Sequence, residues 1–199
     1  MFRRVVVVHG SPRKEGNSQA LAKIAIKTLA DTGIVSDEID ASAIAFAYPG
    51  CNACNICQMS DGFGCLLDDE LSMTVNRLLN YDAIILATPI FWLSYPAQIK
   101  ILIDRMYGLI KFEKNEKIVS PLCGKSLALL ATGSTEYDDN LDVLDKQCRL
   151  AAKMIRMSYF SCFFPFCNFM PGEAIRNSAL VEQVKNFAMR LGTHLQCCS

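Results

Sequence analysis

The first residues that could do chemistry lie between Gly10 and Ser18. Four consecutive valines, Val5 to Val8, precede them and predict a strand that is buried on both faces. The segment then supplies two glycines, a hydroxyl, a cation and a capping pair, in the order Gly10-Ser11-Pro12-Arg13-Lys14-Glu15-Gly16-Asn17-Ser18, and a helical pattern follows at once. Backbone N–H groups and the helix dipole favour an anion at such a helix start. The segment therefore predicts a phosphate site, with an ordinary strand-to-helix turn as the alternative.

Spacing excludes two common kinds of phosphate loop. A nucleoside-triphosphate loop has four residues between its glycines and then a lysine. Here five residues separate Gly10 from Gly16, and Asn17 stands where the lysine would be. The dinucleotide fingerprint needs a glycine at position 12, which is proline. The ligand that fits the remaining pattern is a terminal monophosphate.

Cysteines form the second feature with chemical potential. Their pattern is Cys51-x2-Cys54-x2-Cys57-x7-Cys65. Three cysteines at this spacing can wrap one corner of an iron–sulfur cluster, and a fourth completes the ligand set for one [4Fe–4S] cluster. A zinc site more usually shows two separated Cys-x-x-Cys pairs. The pattern leaves open a cluster, free thiols, zinc and a redox disulfide.

Composition limits the partners of this chain. It has 199 residues, 51% of them hydrophobic, and its 20 basic residues balance its 20 acidic ones. With no run of Lys or Arg, we expect neither nucleic acid nor a membrane surface as a partner. No apolar run is long enough to cross a membrane, and the N-terminal apolar run is too short for a signal peptide. Ten cysteines without a secretory signal predict a cytoplasmic protein.

Strand-like and helix-like segments alternate along the chain, which predicts a parallel sheet with helices on both faces. The five predicted strands lie near 5–8, 39–47, 83–87, 127–131 and 159–164. We predict a single domain over 1–199, with a cysteine-rich excursion at 48–67. In a doubly wound sheet of order 2-1-3-4-5, the flavodoxin-like order, a ligand binds beyond the carboxyl ends of the strands, where strand order reverses.

Three loops follow the first, third and fourth predicted strands and should converge on one ligand. The first, 10–18, suits a phosphate, and the second, 88–94, brings the apolar residues Ile90, Phe91 and Trp92. The third, 132–137, offers small residues with accessible N–H groups. A flat, apolar, phosphorylated ligand satisfies all three, and flavin mononucleotide (FMN) is the best fit. For Trp92, core packing or a dimer contact is the alternative to a flavin contact.

Three motifs together resemble the NADPH-dependent FMN reductase family of flavodoxin-like proteins. They are Gly10–Ser18, Thr88-Pro89-Ile90-Phe91-Trp92 and Pro96-Ala97-Gln98-Ile99-Lys100 with Ile103-Asp104-Arg105. The resemblance implies that the FMN phosphate is held by Ser11, Arg13, Asn17 and Ser18. It implies that the isoalloxazine and ribityl lie along Pro89, Ile90, Phe91, Trp92 and Leu93, and that the pyrimidine edge is approached by Thr132, Gly133 and Ser134. It also implies a homodimer, or a dimer of dimers, with the flavin near the interface.

The cysteine motif resembles the iron–sulfur flavoprotein branch of this family. It departs from that branch in its longer final gap and in lacking a proline after Cys65. The resemblance nominates Cys51, Cys54, Cys57 and Cys65 as the metal ligands of this branch.

The function expected from these features is an FMN-dependent oxidoreductase that passes electrons from NADPH or NADH to a small acceptor such as a quinone or a flavin. The flavin carries the chemistry, so no catalytic acid or base is expected. The N–H groups of Gly133 and Ser134 could stabilise negative charge at the flavin N1–O2 edge. The alternatives are an iron–sulfur electron carrier with a ferredoxin-like donor, and a non-enzymatic flavin-binding sensor.

Overall fold

A computed structural model describes residues 3–113, 117–167 and 170–197. The strands are β1 Arg4–His9, β2 Val35–Asp40, β3 Ala83–Pro89, β4 Lys111–Phe112, β5 Ile118–Val119, β6 Ser126–Thr132 and β7 Ser158–Phe164. The α-helices are α1 Asn17–Asp31, α2 Ile56–Met59, α3 Glu70–Arg77, α4 Ala97–Arg105, α5 Asp142–Met154 and α6 Ser178–Cys197. A π-helical turn, Tyr137–Leu141, leads into α5.

The main sheet confirms the predicted fold. In the described part of the chain it has five strands in the order β2-β1-β3-β6-β7, and every neighbouring pair is parallel. Counted along the sheet-forming strands, this is the flavodoxin-like order 2-1-3-4-5. The very short strands β4 and β5 pair separately in an antiparallel ribbon. Parallel strands bring their carboxyl ends to one edge, so the loops after β1, β3 and β6 lie together.

Hydrophobic residues cover both faces of the sheet. Val6 and Val8 of β1 belong to the cluster that packs under α3, α4 and α5. Val5 and Val7 belong to the opposite cluster, under α1 and α6. All four valines are completely buried, as the unbroken apolar run predicts. Among the described residues, no helix combines the length and the apolarity that crossing a bilayer requires.

The predicted position of the second strand, 39–47, is wrong because it lies too far along the chain. It runs over 35–40, and the residues that follow it to 47 are turn and loop. β2 is an edge strand that pairs with β1 alone. Its sequence, VSDEID, buries only Ile39, whereas Val35 is half exposed. An edge strand with so few buried residues carries little of the apolar signal on which the prediction depended.

Gly10 brings the first two loops of the site together. A Cβ at this position would collide with Ile99 of α4 and would lie 2.8 Å from Thr88 Oγ1. The Gly10 N–H also donates to the Ala87 carbonyl at 2.9 Å. The loop after β1 therefore lies directly against the end of β3 and the start of α4, which only glycine permits.

Candidate functional site

The three predicted loops surround one cavity at the carboxyl edge of the sheet. Its volume of about 410 Å³ lies within the range of small-molecule sites. Its lining residues are Ser11, Arg13, Gly16, Asn17, Ser18, Pro89, Ile90, Phe91, Thr132, Gly133, Ser134, Cys167 and Pro171. Ten of the twelve residues that the sequence assigned to FMN therefore line a single cavity. Trp92 and Leu93 are the two that do not.

One end of the cavity is built by the start of α1. Gly16 is the N-cap, and no side-chain hydrogen bond caps the helix, so the capping role predicted for Asn17 and Ser18 is wrong. The Arg13 N–H donates to Ser11 Oγ at 3.2 Å, and a Cβ on Gly16 would come within 3.0 Å of that oxygen. A 15-residue helix therefore directs its first turn at a cavity that also has a cation, which suits a phosphate.

Asn17 has a structural contact as well as a place in the cavity. Its Oδ1 accepts a hydrogen bond from the Ala174 N–H at 3.1 Å. This bond joins the first loop to the segment that follows β7, and Pro171 of that segment closes the cavity. Asn17 therefore positions a wall of the cavity in addition to lining it.

The second loop makes a tight hairpin beside the cavity. Phe91 and Ser94 exchange two backbone hydrogen bonds of 3.1 Å each. The two residues between them, Trp92 and Leu93, have φ angles of 50° and 63°, in the left-handed region that side chains rarely adopt. This turn directs Trp92 away from the molecule, where it is 98% exposed. Within one chain, Phe91 lines the cavity and Trp92 does not.

Main-chain hydrogen bonds to neighbouring segments hold the third loop in place. The Ile90 N–H donates to the Thr132 carbonyl at 2.9 Å, and the Cys167 N–H donates to the Gly133 carbonyl at 2.8 Å. The Gly133 N–H donates to the Phe164 carbonyl at 3.0 Å. The prediction that this N–H stabilises the flavin N1–O2 edge is therefore wrong, because the last residue of β7 accepts its hydrogen bond.

Cys167 and Pro171 were missed by the sequence analysis. Both residues follow β7, in a stretch rich in proline, cysteine and phenylalanine. This stretch matches no ligand-binding motif, so the sequence does not indicate that it lines the cavity. Burial raises the pKa of the Cys167 thiol to about 11. Near neutral pH it is an uncharged thiol in the wall of the cavity.

A buried carboxylate fixes the far end of the third loop. Asp145 of α5 is 6% exposed and accepts hydrogen bonds from the hydroxyls of Tyr137 and Tyr159, each at 2.8 Å. Arg149 donates a third, also at 2.8 Å. Burial alone would raise the pKa of Asp145, but these three donors outweigh it and lower the pKa. Burial and the hydrogen bond to Asp145 raise the pKa of Tyr137 to about 12, so it stays a donor.

The cysteine motif does not form a metal site in this structure. Cys51 and Cys54 are exposed, whereas Cys57 and Cys65 are buried. Within residues 3–113, 117–167 and 170–197, no group of three or more His, Cys, Asp and Glu side chains could hold a metal ion. As folded here, the four predicted ligands do not fit an iron–sulfur cluster.

Arg105 instead anchors the cysteine-rich excursion. Its side chain is 1% exposed and makes a bidentate ion pair with Asp69, with distances of 2.9 and 3.2 Å. It also donates to the carbonyls of Tyr48 and Gly50. These bonds tie the beginning of the excursion to α4 and to the start of α3.

Cys65 belongs to the same buried network. Its sulfur accepts hydrogen bonds from Ser72 Oγ and from the Arg105 guanidinium, both at 3.4 Å. Burial would raise the pKa of this thiol, but the bonds from Ser72, the Leu67 backbone and Arg105 outweigh it and lower the pKa. The buried network thus favours the thiolate of Cys65.

A second cavity, about 620 Å³, lies between α4, α5 and the strands β3 and β6. Most of its lining is aliphatic or aromatic, and no lysine or arginine lines it. It offers no cation to hold a phosphate, in contrast to the loop cavity with Arg13.

The fold is flavodoxin-like, and the loop cavity at the carboxyl edge of its sheet has the size of a small-molecule site. Comparison with known families identifies it further. The sequence pattern of the family described as "NADPH-dependent FMN reductase" matches residues 3–164, and the chain belongs to this family.

Individual relatives agree with this assignment. An iron-sulfur flavoprotein from Archaeoglobus fulgidus is 34% identical over 107 residues, which cover 53% of this chain and 47% of the relative. The chain matches about half the length of its curated relatives. An azoreductase from Bacillus anthracis has a TM-score of 0.75 at 18% identity, covering 95% of this chain and 100% of that one. An FMN-dependent NADH-azoreductase from the same species, solved with FMN, has a TM-score of 0.70 at 12% identity, covering 96% and 100%. At these identities the solved structures show the fold alone.

Proposed function

We propose that this protein is a cytoplasmic FMN-dependent NAD(P)H oxidoreductase that reduces a small acceptor such as a quinone or a flavin. The observation that carries the proposal is the loop cavity, which has a helix start and a cation at one end and an apolar wall and a polar loop at the other. Membership of the FMN reductase family supports the same cofactor.

The residues of the first loop hold the phosphate. Arg13 supplies the positive charge, and Ser11 and Ser18 line the cavity beside the first turn of α1. Hydrogen bonds to a charged phosphate are stronger than those between neutral groups. This end of the cavity therefore provides most of the affinity and fixes the direction in which the cofactor enters.

The opposite end holds the ring. Ile90 and Phe91 exclude water from one side, and the loop that begins at Thr132 borders the other. When bound, FMN supplies the hydride chemistry between nicotinamide and acceptor. The exposed carboxylates of Glu136, Asp138 and Asp139 lie in this loop and just after it, and they favour an uncharged acceptor over an anionic one.

We also propose a homodimer. Phe91, Trp92 and Leu93 are exposed apolar side chains on the hairpin beside the cavity. Large exposed aromatic residues are enriched at interfaces between proteins. A second copy that covered Trp92 would lie next to the ring end of the cofactor site.

The first experiment compares FMN affinity in Arg13→Ala and Lys14→Ala. Both side chains are exposed, but only Arg13 lines the cavity. We expect Arg13→Ala to raise the Kd for FMN by about 10- to 100-fold, because it removes a charged hydrogen bond to phosphate. Lys14→Ala should bind like the unmodified chain. Equal Kd values for the two variants would place the phosphate elsewhere.

Turnover separates an enzyme from a sensor. Oxidation of NADPH and of NADH is followed with a quinone as acceptor, using the FMN-loaded chain. Turnover with either nucleotide supports the enzyme. Retention of FMN without turnover would instead favour a non-enzymatic flavin-binding sensor.

A second candidate is an iron–sulfur flavoprotein that carries electrons from a ferredoxin-like donor. The four-cysteine motif favours it, as does the similarity to iron–sulfur flavoproteins that are 31–34% identical. The folded positions of the cysteines oppose it. Iron and sulfide analysis of anaerobically purified protein decides between the two candidates. About four irons per chain would support the electron carrier, and an iron-free protein would exclude it.

A further inference from the structure

The two edges of the main sheet differ in how they are protected from pairing with another strand. β2 has three acidic residues among its six, VSDEID, and Arg4 of β1 pairs with Asp37 there. β7, at the opposite edge, has the sequence SYFSCFF, with neither a charge nor a proline. Charges and prolines are the features that usually keep an edge strand from pairing with a second chain. β7 therefore has the sequence of a strand that is paired on both sides.

The outward main-chain groups of β7 belong to alternate residues. At its two ends, Ser158 and Phe164 use their main-chain groups in hydrogen bonds to the β6 side. Residues alternate in a parallel ladder, so Tyr159, Ser161 and Phe163 direct their N–H and C=O groups outward. The Phe163 carbonyl accepts a bond of 2.9 Å from a side chain of α6, which agrees with this direction. Its second lone pair can still accept a bond from another strand.

The outward groups are self-complementary about Ser161, the central residue of β7. An antiparallel second β7, related by a two-fold axis at Ser161, would place Ser161 opposite its own copy and Tyr159 opposite Phe163 of the partner subunit. Each outward N–H then faces an outward C=O, as hydrogen-bonded antiparallel pairs require. The same register sets one aromatic ring beside another, and such cross-strand pairs stabilise a sheet.

The surface of α6 beside β7 has charges with the same symmetry. Glu182, Asn186 and Arg190 are exposed and line a cavity of about 630 Å³ against β7. Asn186 also lines the neighbouring cavity, which Phe160 borders, so it lies level with the middle of the strand. Glu182 and Arg190 lie about one helical turn to either side of Asn186. Neither of them belongs to an ion pair within the described part of the chain.

We propose that a second copy of this chain pairs with the edge of β7 and joins the two five-stranded sheets into one continuous sheet. A two-fold axis at Ser161 keeps both copies of α6 on one face of that sheet and makes them antiparallel. Glu182 of each copy then faces Arg190 of the partner subunit, and this charge complementarity selects a second copy as the occupant. The hairpin that carries Trp92 lies on different segments, so the two interfaces together form a dimer of dimers. This inference does not depend on the cofactor.

The experiment exchanges charges of α6 in the full chain and measures assembly by sedimentation velocity over a range of concentrations. Arg190→Glu sets like charges against each other at both ends of the helix pair, so the dissociation constant of this interface should rise roughly tenfold or more. Combining Glu182→Arg with Arg190→Glu restores opposite charges and should recover the assembly of the unmodified chain. Lys185→Glu is the matched control, because Lys185 is exposed on α6 but lines the groove beside α1.

Hydrogen exchange in the unmodified chain tests the strand pairing directly. The amides of Tyr159, Ser161 and Phe163 should be protected in the assembled protein and lose that protection on dilution. Protection that does not change on dilution, or a chain that is monomeric at every concentration, would overturn the proposal. Assembly that Trp92→Ala abolishes and Arg190→Glu leaves intact would also overturn it, because the hairpin alone would then hold the subunits together.

Discussion

The loop cavity and the cysteine-rich excursion are each anchored by one buried charge, but the two charges bind different parts of the chain. Arg105 is a buried cation that donates to two main-chain carbonyls, to Asp69 and to the groups around Cys65. Asp145 is a buried anion whose three donors are all side chains, from Tyr137, Arg149 and Tyr159. Arg105 supplies hydrogen bonds to a segment that has little secondary structure. Asp145 links side chains beside a loop whose main chain is already hydrogen-bonded to the sheet.

The difference follows from where each segment lies. The third loop continues β6, which lies between β3 and β7, so its main chain is bonded to Ile90 and Phe164 at the ends of those strands. The excursion leaves the sheet after β2, and Arg105 supplies the donors that its carbonyls lack. We infer that removing Arg105 disrupts the backbone of the excursion, whereas removing the charge of Asp145 loosens side chains only.

The largest effect is expected for Arg105→Leu. The change leaves Asp69 as a buried, uncompensated carboxylate and removes the donors to the Tyr48 and Gly50 carbonyls. Breaking a buried ion pair costs about 3–5 kcal/mol, and the free energy of unfolding should fall by that amount. Urea denaturation at neutral pH measures it.

Arg176→Leu is the matched control for this prediction. Arg176 pairs with Glu173 at 3.4 Å, but its side chain is 80% exposed, so its removal should leave the unfolding midpoint unchanged. Hydrogen exchange should also show that Arg105→Leu exposes the amides of 48–65 before those of the sheet. Uniform exposure of the whole chain would contradict a local anchoring role.

A smaller, pH-dependent effect is expected for Asp145→Asn. The amide cannot keep all three donors, so stability at neutral pH should fall by about 1–3 kcal/mol. The folded state lowers the pKa of Asp145 below its unfolded value of about 3.9. The carboxylate therefore contributes fully above that value, and its contribution is lost as the pH falls further.

Urea midpoints of the unmodified chain and of Asp145→Asn should be compared from pH 7 down to pH 3. The gap between them should be constant near neutrality and should narrow below about pH 4. A gap that stays constant across the whole range would mean that folding does not lower the pKa of Asp145. Asp142→Asn, in the same helix, corrects for the general effect of removing an acidic residue.

The sheet and its loops were predictable because buried parallel strands have a plain sequence signal. The apolar runs at Val5–Val8 and at 83–87 located β1 and β3, and the loops after them followed from the topology. The prediction was wrong for β2, whose exposed edge position leaves only Ile39 buried. Local sequence does not record which strand will lie at an edge.

The site residues that the sequence did not predict depend on contacts between segments that are distant in the sequence. Cys167 enters the cavity because β7 runs alongside β6, and this pairing also takes the Gly133 N–H. The spacing of Cys51, Cys54, Cys57 and Cys65 was clear, yet the folded positions depend on Arg105, a residue 40 positions beyond Cys65.

The smallest effect on stability is expected at the hairpin, which belongs to neither anchored region. Trp92 is 98% exposed and has a φ of 50°. Trp92→Gly should leave the free energy of unfolding unchanged or raise it by up to about 1 kcal/mol, because glycine relieves left-handed strain. Trp92→Ala removes the same side chain but keeps that strain, so it should be slightly less stable than Trp92→Gly. Both variants should weaken the proposed dimer, measured by sedimentation. A loss of stability beyond about 1 kcal/mol in dilute, monomeric Trp92→Gly would mean that the indole packs within its own chain.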